Sequence, residues 1–300
     1  MCKLTIHTAT YNRAYILRKA YESLKAQTCK DFEWIITDDG SNDNTEELVN
    51  SWIKQNNGFP IIYNKLNHVG KPRALNSGVN RASTQWFMML DSDDYLLPET
   101  VEKVMAWLEE IQNDERFAGV GFAKCYPDGR YMKEQEPCGI NEHGYFDATH
   151  LERKDHRIDM DMCEVHRTEL FKKYPFQYWE SESFAPEQLN FNQIAFAGYK
   201  LRWRLDKLYI CEYLPDGLTM DDGLVKRNPM GFAMMHNQNL LINKSFFENC
   251  KSVIYMIALC LYASHPEYLK HSNKKVLTYL LFPLGWLLSL RRKRQFRAMN

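Results

Sequence analysis

The chain has 300 residues, 45% of them hydrophobic, so it is long enough to bury a substantial core without a disulfide scaffold. Its 38 basic and 38 acidic residues cancel, which argues against recognition of nucleic acid through overall charge. The eight cysteines form no C-x-x-C pair, and we expect free thiols in a reducing cytosol.

The first 125 residues alternate short runs of β-branched or aromatic residues with helical periodicity. This order predicts an α/β fold with an open, mostly parallel sheet covered by helices. The apolar positions of the predicted helices fall on one face each, within residues 16–24, 48–53 and 101–111. The predicted strands are residues 4–8, 32–37, 61–65, 86–90 and 119–124.

Beyond residue 125 this alternation ends. Residues 126–157 contain several proline and glycine turn signals, and we expect them to decorate the sheet without extending it. Order resumes in residues 158–215, where an acidic and aromatic passage leads into a helical segment. Residues after about 230 are helical in pattern and increasingly apolar, which predicts a C-terminal helical appendage.

Polar residues follow the first two predicted strands, at the edge where open parallel sheets bind ligands. After the first strand, an aromatic ring and a helix N-terminus can stack on a base and receive an anion. After the second, a carboxylate can accept a hydrogen bond from uracil or ribose, although an Asp-Gly turn explains the same residues. The first segment contains Thr8, Tyr11, Asn12 and Arg13, and the second contains Asp38, Asp39 and Gly40.

The fourth predicted strand ends in the acidic sequence Asp91-Ser92-Asp93-Asp94. Clustered carboxylates repel one another unless a cation lies among them, and a divalent ion that holds phosphate oxygens would supply that charge. An acidic turn or a helix cap is the alternative. We therefore expect a divalent-cation site at this strand end.

Four segments in this order resemble glycosyltransferase family 2. They are residues 10–13, residues 38–45, Gly70-Lys71 with Asn76 and Gly78, and residues 90–94. The resemblance covers roughly residues 3–220 and implies the GT-A fold, a Rossmann-like and mostly parallel sheet flanked by helices. It also implies inverting transfer from a nucleotide-diphosphate sugar, most often a UDP-sugar, with Mn²⁺ or Mg²⁺ as the metal. We expect non-processive transfer, because the chain lacks a bundle of spanning helices.

The resemblance implies roles for individual residues. Tyr11 would line the nucleobase pocket, Asp39 would hold the base, and Lys71 would lie near the nucleotide. Asp93 would be the principal metal ligand, and Asp91 would support the metal or the ribose. The nucleotide-binding residues implied are Thr8, Tyr11, Asn12, Arg13, Asp39, Lys71, Asp91 and Ser92.

An inverting transferase needs a general base that takes the proton of the acceptor hydroxyl. The family usually supplies an acid at the start of a helix, often as a Glu-Asp pair, and the matching place here reads Glu187-Gln188. Glu187 is the candidate, with Glu182 and Glu180 as alternatives, although a carboxylate there also suits a simple helix-dipole contact. His166 resembles a family residue near the acceptor site, with a core histidine as the alternative.

Residues 276–290 are almost entirely apolar and run directly into Arg291-Arg292-Lys293-Arg294. The segment is shorter than the ~20 residues that span a bilayer, but its Trp286 and basic end suit insertion into one anionic leaflet. No secretion signal is visible. We expect a cytoplasmic protein, peripheral or monotopic on the inner face of the cell membrane, with a core helix or an oligomer interface as the alternative.

These expectations define three regions: a nucleotide-sugar-binding half at 1–125, an acceptor-binding and catalytic-base half at 126–228, and a membrane-associating helical region at 229–300. The expected partners are a nucleotide-sugar donor, a glycan or lipid-linked acceptor and an anionic membrane surface, with no nucleic acid. A phosphatase of the haloacid dehalogenase type is disfavoured because its acidic motif lies on the first strand. A nucleotide-sugar-binding module without activity stays open, because Gln188 interrupts the acidic pair.

Overall fold

The computed structural model describes residues 3–132, 141, 143–158, 160–214 and 217–298. Contacts between Cα atoms divide the chain into two compact units. The first comprises Met1–Phe176 and Asn190–Leu214, and the second comprises Gln177–Leu189 and Pro215–Asn300. This division differs from the expected regions, since residues 177–189 and 215–228 group with the C-terminal helices.

The strands of the described residues form one mixed sheet in the first unit. They are β1 (Leu4–Thr10), β2 (Phe32–Asp38), β3 (Ile61–Lys65), β4 (Trp86–Met89), β5 (Tyr95–Leu96), β6 (Phe117–Cys125), β7 (Tyr145–Ala148), β8 (Met162–Arg167) and β9 (Lys200–Ile210). Their order is β3-β2-β1-β4-β8-β6-β9-β5, with β7 beside β9. β1 to β4 pair in parallel, as does β6 with β9, whereas β8 runs antiparallel to both β4 and β6.

The α/β class is confirmed, and each of the five predicted strands is present with shifts of two residues or fewer at its ends. The expectation that residues 126–157 do not extend the sheet is wrong, because β7 pairs antiparallel with β9. Arg202 holds this pair together. Its guanidinium lies 3.9 Å from the centroid of the Tyr145 ring and 2.9 Å from the Asp147 carboxylate.

Helices connect the strands of the first unit and build most of the second. They are α1 (Ala14–Lys25), α2 (Thr45–Ile53), α3 (Lys71–Arg81), α4 (Thr100–Ile111), α5 (Thr168–Lys173), α6 (Gln188–Phe196), α7 (Leu224–Arg227), α8 (Pro229–Ile242), α9 (Phe246–Tyr262) and α10 (Lys275–Ala298). Short 3-10 helices span His150–His156, Leu218–Met220 and Pro266–His271. The described cysteines are free thiols, namely Cys29, Cys125, Cys163, Cys211, Cys250 and Cys260, whereas Cys2 and Cys138 lie outside the described residues.

The strands alternate their side chains between two cores, one on each face of the sheet. On one face, Trp34 of β2 packs with Tyr21 of α1 and Trp52 of α2, and the Tyr21 and Trp52 rings stack with centroids 4.2 Å apart. On the other face, Ile35 of the same strand packs in the core that includes Val79 of α3. This alternation keeps β2 buried on both faces, as expected for a central parallel strand.

α3 packs directly on β1 through a residue without a side chain. A Cβ atom added to Gly78 would lie 2.1 Å from Nε2 of His7, which is buried and hydrogen-bonds to Thr37 at 2.9 Å. Burial and the charge of Lys71 lower the pKa of His7 to about 3, so its imidazole is neutral. Gly78 therefore allows the close approach that brings the N-terminus of α3 to the edge of the sheet.

The second unit has its own core, built from α8, α9 and the inner face of α10. Met230, Leu240, Val253 and Met256 are buried in it. α10 turns its small and polar residues inwards, where Thr278, Gly285 and Ser289 are buried. Most of its large apolar residues lie on the outside, although Phe296 is buried and Leu277 and Leu281 pack against the core. This arrangement reverses the usual pattern of a helix in a globular protein.

This outer surface of α10, which we name the apolar face, consists of eight exposed residues: Val276, Tyr279, Leu280, Phe282, Leu284, Trp286, Leu287 and Leu290. They are 39 to 84% exposed. Exposed Arg291, Lys293 and Arg294 follow on the same helix. Within the described ranges, no helix is both long and apolar enough to cross a membrane.

Replacement of Gly78 by Ala should destabilise the first unit by about 2 kcal/mol, because the added methyl group collides with the buried His7 ring. Chemical unfolding measures this change. Asn80→Ala is the control, since Asn80 lies exposed on the same helix and alanine favours helices. Equal stability of both variants would show that α3 can move away from β1 at little cost.

Candidate active site

The loop after β2 is tied to the N-terminus of α3 through Asp39. This residue is only 5% exposed, and its two carboxylate oxygens accept the backbone amides of Val69 at 2.7 Å and Gly70 at 2.9 Å. The Asp39 amide in turn donates to the Thr10 carbonyl at 2.8 Å. The residue predicted to hold the base therefore joins the ends of β1 and β2 to α3.

Next to this junction lies an aromatic surface. The Tyr11 ring, 41% exposed, stacks on the His68 ring with centroids 4.2 Å apart and planes at 28°. The Nδ1 atom of His68 lies 3.1 Å from the Asp39 carbonyl oxygen, which fixes the imidazole in this position. His68 was not among the predicted site residues, although it lies two residues before the recognised Gly70-Lys71 segment.

The side chains of Asn12 and Thr8 form hydrogen bonds within the protein. Asn12 adopts a φ of 53°, and its side chain accepts the Asn42 amide at 2.9 Å, so it links the loops after β1 and β2. Thr8 is fully buried, and its hydroxyl accepts the Trp34 indole N–H at 3.0 Å. This hydrogen bond gives the Thr8 hydroxyl a partner inside the core, and its expected contact with the nucleotide stays a prediction.

The acidic segment after β4 meets three cations from different elements. Asp91 pairs through Oδ1 with Lys71 of α3 at 3.0 Å and through Oδ2 with Lys124 of β6 at 3.4 Å. Asp93 pairs with Arg13 at 3.3 Å. The cationic charge that the cluster needs is therefore supplied at least in part by these side chains.

Lys124 was missed by the sequence analysis and lies at the centre of this cluster. Its ammonium group sits 4.2 Å from the centroid of the Tyr209 ring and 3.9 Å from Oδ2 of the buried Asp94. The Tyr209 hydroxyl accepts the Asp91 amide at 2.9 Å. The available signal was a single lysine within the apolar run of β6.

These contacts shift the pKa values of the three carboxyl groups in different directions. Burial would raise the pKa of Asp91, but the charges of Lys71 and Lys124 hold it well below its usual range. Burial and the charge of Asp91 raise the pKa of Asp93. For Asp94, burial raises the pKa to about 7 with support from Asp91 and Asp93, although Lys124 opposes the shift. Asp91 is therefore firmly ionised.

The donor atoms suit a divalent cation best at Asp93. Both oxygens of Asp91 face ammonium groups, whereas Asp93 meets Arg13 through Oδ2. Mg²⁺ bound with a nucleotide needs only one or two carboxylates, because phosphates and water complete its shell. No cluster of three or more ligating side chains occurs in the described part of the chain. The site fits a cation shared with a phosphate-bearing ligand.

The candidate base and its alternatives lie in the second unit. Glu187 is half-buried and directly precedes α6. Glu182 accepts the backbone amides of Met230 at 2.7 Å and Gly231 at 2.8 Å, at the start of α8. These bonds cap the helix with a negative charge, which gives Glu182 a structural role and leaves Glu187 as the stronger candidate.

His166 is a core residue. It has no exposed surface, and its ring stacks on Phe191 with centroids 5.5 Å apart. Its Nε2 lies 3.7 Å from the buried Glu164 carboxylate, beyond hydrogen-bonding distance. The adjacent Arg167 donates to the Phe117 and Gln112 carbonyls at 3.0 and 2.9 Å, so it also serves the fold.

Residues 5–175, over half of the chain, match the sequence profile described as Glycosyl transferase family 2. The chain is 33% identical over 144 residues to the GalNAc(5)-diNAcBac-PP-undecaprenol beta-1,3-glucosyltransferase of Campylobacter jejuni, a match that covers 47% of this chain and 45% of that protein. It is 31% identical over 137 residues to an uncharacterized glycosyltransferase of Methanocaldococcus jannaschii, covering 45% and 46%. The chain thus spans about half the length of these relatives.

Solved structures share the fold. The structure of S. aureus TarS 1-349 in complex with UDP-GlcNAc superposes with a TM-score of 0.61 at 18% identity, covering 92% of this chain and 78% of that chain. The mannosyltransferase PcManGT of Pyrobaculum calidifontis, in complex with GDP-Man and Mn²⁺, superposes with a TM-score of 0.52 at 14% identity, covering 99% and 82%. At these identities the likeness concerns the fold alone.

His166→Phe should reduce the loss of stability in acid. Burial lowers the pKa of His166 to about 4 from 6.5, so the unfolded chain binds more protons as the pH falls from 6.5 towards 4. Wild-type stability is lost over that window, by about 2 kcal/mol at pH 5 from this residue. Urea unfolding at pH 7.5 and pH 5 measures the difference. The exposed His143→Phe control should keep the wild-type difference, and an unchanged difference in His166→Phe would refute a neutral core histidine.

Proposed function

The chain belongs to glycosyltransferase family 2, and we propose that it is a glycosyltransferase that moves one sugar, with inversion, from a nucleotide-diphosphate donor to a glycan or lipid-linked glycan acceptor. A UDP-sugar is the proposed donor. The observation that carries the proposal is the convergence of an aromatic surface, a buried carboxylate and paired lysine and aspartate side chains at one edge of the sheet. Open parallel sheets bind nucleotides at this edge.

The donor would bind across the ends of β1, β2 and β4. The stacked Tyr11 and His68 rings offer an aromatic surface for the base, and Asp39 lies beside them to accept a hydrogen bond from the base. Lys71 at the start of α3 would attract the diphosphate, while Asp91 holds its ammonium group in place. Arg13 and Ser92 flank this path.

Asp93 would hold a Mn²⁺ or Mg²⁺ ion together with the diphosphate oxygens. Such a cation supplies positive charge to the departing diphosphate. Asp93 suits this role because burial and the neighbouring Asp91 leave its charge poorly compensated, as the raised pKa indicates. Arg13 would then leave the Asp93 carboxylate and turn towards a phosphate.

Glu187 would act as the general base. The acceptor oxygen forms a bond to the anomeric carbon as the bond from that carbon to the diphosphate breaks, which inverts the configuration. The proton of the acceptor hydroxyl passes to the Glu187 carboxylate, and the leaving diphosphate keeps the electron pair. The position of Glu187 before α6 matches the family pattern for this base.

The apolar face supports contact with a membrane. Eight large apolar side chains would leave water there, and the adjacent cations would meet anionic lipids. The Campylobacter relative is named for an undecaprenol-linked acceptor. We therefore propose a lipid-linked acceptor and a peripheral location on the inner face of the cell membrane.

The function is tested by the release of UDP or another nucleoside diphosphate from a panel of nucleotide sugars, with and without acceptor glycans and Mn²⁺. We expect release that depends on the cation and rises with the correct acceptor. A nucleotide-sugar-binding module without activity, suggested by Gln188 in place of the second acid, would instead bind donors and release nothing.

Glu187→Gln should lower kcat by roughly two to four orders of magnitude while donor affinity stays within about twofold of the wild type. The reason is that the amide cannot accept the hydroxyl proton, whereas the donor site lies on other residues. Steady-state kinetics and donor titration measure the two effects. Glu169→Gln serves as the matched control, because Glu169 is an exposed acid in the first turn of α5. Wild-type turnover in Glu187→Gln would assign the base to another residue.

The double variant Leu284→Gln with Leu287→Gln should weaken binding to anionic vesicles by about 30-fold, since each side chain loses on the order of 1 kcal/mol of apolar burial. Vesicle cosedimentation measures the change. Ile53→Gln is the control, because Ile53 is an exposed apolar residue of the first unit that lies outside the apolar face. Equal binding of the wild type, the double variant and Ile53→Gln would contradict a role of α10 in membrane binding.

A further inference from the structure

The second unit contains a cleft of about 590 Å³ beside the last turns of α10. Its lining combines guanidinium groups with aromatic rings and includes Arg291, Arg292, Gln295, Tyr255 and Phe296. None of these residues belongs to the proposed donor site. The cleft is larger than a phosphate group and has room for a diphosphate or for the glycerol of a lipid.

Arg292 is the charged group most firmly built into this cleft. Its guanidinium carbon lies 5.0 Å from the centroid of the Tyr255 ring and 5.7 Å from that of Phe296. These two rings hold the planar group in place, so little side-chain entropy remains to be lost when it binds a ligand. Arg292 is thus already oriented before any ligand arrives.

The charge of Arg292 lacks an acidic partner. Among the described residues no carboxylate forms an ion pair with Arg292, although Asp222 belongs to the lining of the cleft. Burial lowers the pKa of Arg292 from its ordinary value. Its neighbour His236 is held neutral, because burial and the charge of Arg292 lower its pKa to about 4. An anion in the cleft would therefore compensate an otherwise unpaired cation.

The cleft also lies at a defined place on α10. Arg291 and Arg292 directly follow the apolar face, and at 1.5 Å per residue Arg292 lies about 9 Å along the helix from Trp286. Tryptophan prefers the headgroup level of a bilayer, and an interfacial helix inserts its apolar side only to the boundary with the acyl chains. If the apolar face enters a leaflet, these arginines reach the layer of lipid phosphates.

We propose that this cleft binds the terminal phosphate of a membrane lipid, with the Arg292 guanidinium as the oriented donor and Arg291 as a second cation. The proposal rests on the membrane contact put forward above. A terminal phosphate group presents three free oxygens to the planar guanidinium, whereas a phosphodiester headgroup has two and is sterically shielded. The source can be a polyprenyl phosphate or diphosphate carrier without a glycan, whose last phosphate is unesterified, or a bulk lipid such as phosphatidic acid.

The test is cosedimentation of the full chain with three kinds of phosphatidylcholine vesicle. Each kind contains one anionic lipid, namely phosphatidylserine, phosphatidic acid or a polyprenyl diphosphate, and the total negative charge of the vesicles is matched. We expect about tenfold tighter binding to at least one lipid with a terminal phosphate than to phosphatidylserine, the worth of one oriented charge-assisted bond. Preference for the polyprenyl diphosphate alone would identify the carrier lipid, and equal preference for both would identify the terminal phosphate itself.

Two conservative variants separate recognition from general attraction. Arg292→Lys keeps the charge but loses the planar group, so it should abolish the preference for vesicles with a terminal phosphate over phosphatidylserine vesicles. Arg294→Lys, which lies outside the cleft, should leave this preference unchanged. Unchanged melting temperatures confirm that both variants are folded.

The proposed site fails if the wild type binds all the anionic vesicles equally, or if Arg292→Lys keeps the wild-type preference. Absence of binding to every vesicle would contradict the membrane contact itself. Donor turnover without lipid does not depend on this cleft. Whether that turnover is observed therefore tests the transferase function separately.

Discussion

The two ion pairs of Asp91 connect the parts of the first unit on which the donor site depends. Lys71 brings the start of α3 to the end of β4, and Lys124 brings β6 to the same carboxylate. Because both oxygens of Asp91 are occupied in this way, its charge is balanced by two lysine side chains of the protein. Asp93, two residues later, is then the carboxylate best placed to meet an added cation.

Much of this fold followed from the hydrophobic pattern. Strands buried on both faces, such as β2, appear as apolar runs, and the amphipathic helices between them show a clear period. The partners of Asp91 were harder to foresee. Lys124 comes from a strand 33 positions further along the chain, so only the sheet order brings the two side chains together. From sequence alone the acidic segment has no visible partners, whereas in the fold lysine and arginine side chains form ion pairs with it.

Capping interactions were also beyond reach of local sequence. At the start of α1 the Ala14 amide donates to Asp43 at 3.1 Å, and Asp43 comes from the next βα connection. Glu182 similarly caps a helix that begins 47 residues later, which explains a carboxylate that resembled a catalytic acid. In each case a long-range contact decides between a structural and a chemical role for the same residue type. The reversed pattern of α10 was visible as an apolar run, but only the structure shows that its apolar residues face outwards.

The most direct test of the account is calorimetric titration of UDP into the wild type and Asp93→Asn, each with Mn²⁺ and with a chelator. The account predicts that Mn²⁺ tightens UDP binding to the wild type by at least about tenfold and has no such effect on Asp93→Asn, while the two proteins bind UDP alike in chelator. Cation-independent UDP binding by the wild type, or full Mn²⁺ enhancement in Asp93→Asn, would contradict it.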